Sequence, residues 1–251
     1  MDRVVILGTS SAISDQDHEN SHLIIQVDER LVLIDCPGNP IVRIKKAQID
    51  PLKITDLILT HFHPDHVSGL PLLLMDLWLM GRKDPLTIYG LGHTIDRAEK
   101  MMQLFEWHRW PDFFPVNFMN LGDNPLNLLM EDAYIRIISS PVKHLIPTIG
   151  IRVEFKKSRK IFTYTSDTEP CQNLLDLAKS ADVLLHEAAG DSVGHSSGKQ
   201  CGLNAATAGV NHLYLTHYHP QKDINELLQE AQSTFSRPVT IAQDLMEIIF
   251  N

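Results

Sequence analysis

Short apolar runs recur along the whole chain of 251 residues, separated by polar and turn-forming segments. Arg3–Leu7, His22–Val27 and Leu31–Ile34 are rich in Val, Ile and Leu, the pattern of strands. Asp28, Glu29 and Arg30, between the last two, predict a hairpin turn. Further strands are predicted at Leu57–Leu59, Leu86–Tyr89, Tyr134–Ile138, Ile149–Phe155, Ile161–Tyr164, Val183–Leu185, Leu213–Leu215, Val239–Ile241 and Glu247–Phe250. Helical patterns lie between many of them. Asp65–Met80 is one, and Thr94–His108, with Thr94 as its N-cap, is another. Pro170–Ser180 carries Pro170 in its first turn, where a missing N–H costs nothing. Ser197–Ala208, capped by Ser196-Ser197, and Asp223–Thr234 complete the set. Gly198, Gly202, Ala205, Ala206 and Gly209 predict that the fourth helix packs closely on a sheet. Meander-like strands followed by β–α alternation predict a mixed α/β fold with helices outside two sheets, a four-layer αββα sandwich. No linker or repeat divides the chain.

Composition narrows this little. Hydrophobic residues make up 43% and charged residues 21%, an ordinary globular balance. Lys and Arg total 22 against 31 Asp and Glu, a formal net charge of −9, which argues against a broad basic surface for duplex nucleic acid. Cys36, Cys171 and Cys201 lie far apart without CxxC spacing, arguing against a disulfide framework and a thiolate zinc site. No basic segment followed by a long apolar stretch opens the sequence, and the most apolar run, Leu70–Met80, is interrupted by Asp76. A soluble, cytoplasmic protein without a membrane partner is expected.

The chemistry is in the histidines, of which there are 13. Thr60-His61-Phe62-His63-Pro64-Asp65-His66 follows the apolar Leu57–Leu59. A polar cluster at a strand's C-terminal end is where α/β folds build sites. Residues two apart in extended chain point the same way, so His61 and His63 share a side. Pro64 breaks the strand, and Asp65 and His66 open the next helix and can turn back toward the same point. Imidazoles and a carboxylate so placed suit zinc or a similar divalent ion. One catalytic ion takes about three protein ligands, so further ligands and a second metal are expected downstream. His144, Asp167 and His217 each follow a strand-like run and are the candidates.

HFHPDH with a later His, Asp and His resembles the metallo-β-lactamase fold over essentially the whole chain, 1–251, as one hydrolase domain. Several segments resemble its ribonuclease Z branch: His144 through Gly150-Ile151-Arg152, Tyr164-Thr165-Ser166-Asp167-Thr168, and Leu215-Thr216-His217. His186-Glu187-Ala188 with Gly194-His195-Ser196 is similar to the branch's HEA…GHS pair, the more discriminating signal. The resemblance implies that His61, His63 and His144 hold one metal, that Asp65, His66 and His217 hold a second, and that Asp167 bridges both. Two divalent ions are implied, zinc first and manganese second. A metal-bridging hydroxide would attack phosphorus, with Asp65 orienting it and taking its proton. Glu187 and His195 are not needed as ligands. An imidazolium held by a carboxylate can protonate a leaving alkoxide, and His195–Glu187 fits that role.

The chain departs from this pattern where the branch carries its tRNA-gripping arm. Between His144 and Asp167 only a strand, the basic turn Lys156-Lys157-Ser158-Arg159-Lys160 and a strand fit. A small phosphodiester or an RNA end is therefore the expected substrate, with weak binding of intact precursor tRNA. Another ester on the same site (lactone, thioester or sulfate ester) and a non-catalytic metal-binding protein are the alternatives. His219, in His217-Tyr218-His219-Pro220, has no counterpart in the pattern and is read either as a neighbour of the site or as a surface residue. The aromatic residues Trp107, Trp110, Phe113, Phe114 and Phe118 are read as core or homodimer packing ahead of a lip over the substrate.

Overall fold

The computed structural model describes residues 2–251. Fourteen strands form two seven-stranded sheets. The first runs in the order β14 (Glu247–Phe250), β1 (Asp2–Gly8), β2 (His22–Val27), β3 (Arg30–Ile34), β4 (Asp56–Ile58), β5 (Leu86–Leu91), β6 (Val116–Leu121). The second runs β13 (Val239–Ile241), β12 (His212–Thr216), β11 (Val183–Glu187), β10 (Ile161–Tyr164), β9 (Thr148–Phe155), β8 (Ile135–Val142), β7 (Asn127–Glu131). Successive strand residues face opposite sides, and here both sides are buried. Val4, Ile6, Val32, Ile34 and Ile58 meet Ile151, Phe162 and Leu185 between the sheets. Val5, Leu7, Leu33 and Leu57 face outward against helices α1 (Pro40–Lys46), α3 (Leu70–Leu79) and α4 (Gly92–Leu104). Leu184, Leu213 and Leu215 do the same toward α5 (Gln172–Ala178), α6 (Gly198–Ala208) and α7 (Ile224–Gln232). This is the expected αββα sandwich.

Several boundaries differ from expectation. The run Asp65–Met80 is two helices, α2 (Pro64–Val67) and α3, split at Ser68-Gly69. The break lets the chain dock on the loop after β3: Gly69 N–H bonds Cys36 O at 2.8 Å, and a Cβ on Gly69 would lie 2.5 Å from that oxygen. α4 begins at Gly92, so Thr94 is a buried first-turn residue and not the cap, and Pro170 falls before α5, which is entered from Cys171. The hairpin turn is Asp28-Glu29 alone, with Arg30 already paired to Val27. α1, β6 and β7 were not anticipated; the latter two are sheet edges with mixed polar and apolar residues, which lack a clean alternation.

Two of the small residues of α6, Gly198 and Gly202, serve a different neighbour than predicted, while Ala205 packs beside the sheet as expected. A Cβ on Gly202 would stand 2.2 Å from the carbonyl oxygen of Ala231, and one on Gly198 2.8 Å from that of Leu227. Gly198 and Gly202 therefore seat α7 on α6, while Cys201, Ala205 and Ala208 face the core beside the sheet. Gly202→Ala must push two helices apart and is expected to cost about 1–3 kcal/mol, the range of overpacked cores. Urea unfolding would read this as a lower midpoint at unchanged slope.

The aromatic residues pack against the first helix-side core. Phe114 is buried, Trp78 stacks on Trp110 at 5.2 Å, and the Trp78 indole N–H donates to Pro111 O. The core reading is the one the structure supports. No helix among the described residues is long and apolar enough to cross a membrane.

Candidate metal centre

β3, β4 and β5 are parallel, as are β10 through β13, and β8 runs in the same sense as β10 because β9 is antiparallel to both. The C-terminal ends of β4, β8, β10, β11 and β12 deliver His61/His63, His144, Asp167, Glu187 and His217 to one edge of the sandwich. α2, opened by Pro64 at its first position, adds Asp65 and His66. At two of these strand ends, and at that of β3 beside them, a non-glycine residue takes a left-handed backbone: Ser166 (φ 52°) after β10, His217 (φ 53°) after β12 and Asp35 (φ 60°) after β3. Such conformations cost free energy and persist where packing over-determines them. Here each turns the chain sharply at the site.

All seven predicted ligand positions come together, in two groups that share Asp167. His61, His63, His144 and Asp167 form one, and Asp65, His66, Asp167 and His217 the other, with ligand atoms within 4.8 Å of one another in each. In the first, Nε2 of His61 and of His144 each lie 3.1 Å from Nδ1 of His63, and both lie 3.8 Å from Oδ2 of Asp167. In the second, Nε2 of His66 and of His217 are 3.5 and 3.4 Å from Oδ1 of Asp167, and 3.6 and 3.5 Å from Oδ2 of Asp65. Donors about 2.1 Å from a tetrahedral ion would stand about 3.4 Å apart. His66 Nε2, His217 Nε2 and Asp167 Oδ1 are buried and have no hydrogen-bond partner, a costly state that a cation between them removes. The residues fit a divalent metal.

Three of the imidazoles are prepared for that role; on His66 burial opposes charge, yet Asp167 and Asp35 hold it above its ordinary pKa. Burial holds His61 well below its ordinary pKa and lowers His63 and His144, keeping the neutral form that ligates. Burial opposes charge on Asp167 too, yet His217, His66 and His61 hold it well below the usual carboxylate range. The far ring nitrogens of His61, His66 and His144 are tied. His66 Nδ1–H donates to Asp35 Oδ2 at 2.8 Å, and His144 Nδ1–H to the Gly194 carbonyl at 2.7 Å. His61 Nδ1–H donates to Thr60 Oγ1 at 3.1 Å, whose own hydroxyl donates to Asp35. Such partners fix the tautomer and aim the other nitrogen at the metal. Thr60 and Asp35 were missed as orienting residues. The available signal was an ionisable residue closing an otherwise apolar strand.

Glu187 is fully buried, and its carboxylate accepts N–H groups from Thr168, Ala189 and Ser196. Its Oε1 lies 3.4 Å from Nδ1 of His195, and this contact holds His195 above its ordinary pKa. The His195 ring stands 5.0 Å from that of His144 and stacks 5.7 Å from that of His217. His219 is outside the ligand groups; its Nδ1 accepts the Gln221 N–H and shapes a turn. The basic turn sits at the far end of β9 and β10 from the metal groups. Lys156 pairs with Glu131 and Lys160 with Asp182, so two of its four cations have local partners.

The profile of the anti-Pycsar protein Apyc1 family matches residues 3–241. The chain belongs to this family. A ribonuclease Z from Methanothermobacter thermautotrophicus is 24% identical over 304 aligned positions, covering 99% of this chain and 96% of the relative. Among solved structures, the metallo-β-lactamase fold protein YhfI from Bacillus subtilis superposes with a TM-score of 0.80 at 20% identity, over 98% of both chains. Human tRNase Z, short form, also gives 0.80, at 24% identity over 99% of both. The αββα sandwich of this Apyc1-family chain is thus the metallo-β-lactamase fold, and the resemblance to ribonuclease Z extends over its full length. With its clustered histidines and aspartates, the chain is a metal-dependent hydrolase that uses a divalent ion.

Proposed function

We propose that the chain is a binuclear phosphodiesterase acting on small phosphodiesters or RNA ends. The observation that carries this reading is the Glu187–His195 pair standing beside two ligand groups that share one aspartate. His61, His63 and His144 would hold one ion, Asp65, His66 and His217 the other, and Asp167 both; zinc suits this donor set best, and manganese is the second candidate. When bound, such a pair supplies Lewis acidity and an acidified water. The Asp65 carboxylate, at the edge of its group, orients that water and accepts its proton. His195 has Nδ1 toward Glu187, which leaves Nε2–H to donate to the departing alkoxide oxygen as the P–O bond breaks. Glu187 stabilises the charged imidazolium and regains nothing itself. A panel of bis-p-nitrophenyl phosphate, cyclic nucleotides, lactones and a precursor tRNA, assayed with zinc and with manganese, tests the reading. Turnover of the phosphodiesters is expected; turnover confined to lactones would overturn it.

Intact precursor tRNA should bind weakly, with a shallow salt dependence. Phosphate contacts supply most nucleic-acid affinity, each adding to the salt slope. The chain carries net charge −9, and its basic turn is removed from the site by the length of β9, roughly 25 Å at ~3.3 Å per residue. A salt titration of tRNA binding, run beside kinetics on a small phosphodiester, decides this. Sub-micromolar binding at physiological salt with clean cleavage 3′ of the tRNA body would return the chain to full tRNA processing.

A further inference from the structure

The loop after β11 carries two functions in adjacent residues. Gly194 holds the His144 ring through its carbonyl, and His195 follows it. Gly194 has a left-handed backbone (φ 87°), and a Cβ there would stand 2.8 Å from His144 Nδ1, so the carbonyl reaches the ring only from a glycine. What fixes this peptide is a side chain outside the ligand groups. Glu169 Oε1 accepts the Gly194 N–H at 2.9 Å, and its other oxygen pairs with Lys143. The backbone of Glu169 is itself tied to Lys143, whose carbonyl accepts the Glu169 N–H at 2.8 Å. Lys143 immediately precedes His144, and Glu169 lies two residues after Asp167. One carboxylate therefore joins the chain beside His144, the chain beside Asp167 and the loop that carries His195. On the opposite side of His195, Glu187 binds the Ser196 N–H in the same way. The two carboxylates clamp the loop on both flanks of His195.

We propose that Glu169 is a positioning residue that sets the ligating pose of His144, and with it the site of His195, by holding the Gly194 peptide. The inference rests on the ligand assignment above. Glu169 is partly exposed and packs no core, so its loss acts on the loop and not on the fold. Without the carboxylate, the Gly194 peptide can turn, and the His144 ring loses the acceptor that fixes its tautomer.

Cobalt(II) titration of the metal-free protein, followed by visible absorption and by competition with a chelator, tests this without reference to turnover. Glu169→Ala should weaken one of two binding phases about 10–100-fold, the usual effect of removing an outer partner of a ligand. The other phase and the apoprotein melting temperature should hold. Glu169→Gln keeps an acceptor for the Gly194 N–H and should restore the wild-type titration. His144→Ala should weaken the same phase more strongly. If His144→Ala weakens that phase and Glu169→Ala does not, the positioning role is overturned while the ligand set stands. If His144→Ala changes neither phase, the ligand assignment falls and the proposal with it. Equal losses in Glu169→Ala and Glu169→Gln would overturn the acceptor role and assign the effect to the Lys143 charge pair.

Discussion

Replacing Asp167 by alanine should take the purified, metal-replete protein from about two ions per chain to one or fewer and abolish phosphodiester hydrolysis. Asp167 is the one residue shared by both ligand groups, with Oδ1 facing His66 and His217 and Oδ2 facing His61 and His144. Its removal leaves Asp65 as the one carboxylate of the two groups to offset two cations, and none in the group of His61, His63 and His144. Lewis-acid assistance is worth several kcal/mol, so hydrolysis should fall roughly 10³-fold or more. Elemental analysis against protein concentration checks the stoichiometry. A wild-type value that stays near one, unchanged by Asp167→Ala, would remove the binuclear mechanism.

His195→Ala should separate chemistry from metal binding. The residue completes neither group that shares Asp167, so both ions should remain. Proton donation matters only when the leaving oxygen is a poor anion, and general acid catalysis is typically worth ~10²–10⁴-fold. Cyclic nucleotides and RNA ends, which release alkoxides, should lose about that much. Bis-p-nitrophenyl phosphate, whose p-nitrophenolate leaves unaided, should lose far less. Equal losses on both kinds of substrate would assign His195 a structural role, such as holding the loop between Gly194 and Ser196.

Much of this was legible in one dimension. A six-residue HFHPDH segment carries four of the candidate ligands because an extended chain and one helical turn suffice to converge them, and local geometry is what a sequence displays. The strand preceding each of His144, Asp167 and His217 was visible as an apolar run, and a polar residue after such a run is a recognisable site position. Helix boundaries were less legible where a long-range contact decided them. The Asp65–Met80 pattern reads as one helix until Gly69 is seen to dock on the Cys36 carbonyl. The partner of Gly202 was likewise misjudged, since closeness to a sheet and closeness to α7 leave the same small-residue signature.

The sequence by itself determined most of the two-faced apolar strands and their order, and which histidines and aspartates were candidates to converge, because periodicity and residue chemistry are local properties. Only the tertiary structure decided which atoms those side chains present. Asp35 meets His66, and Glu169 meets the peptide that holds His144, across turns or between separate strands. The left-handed residues Asp35, Ser166 and His217 belong to the same class, since no local preference calls for them and the surrounding packing holds them there. Ring tautomer and ligand pose are set largely by hydrogen bonds between residues far apart in the chain, and those bonds exist only once the strands that carry them have paired within each sheet.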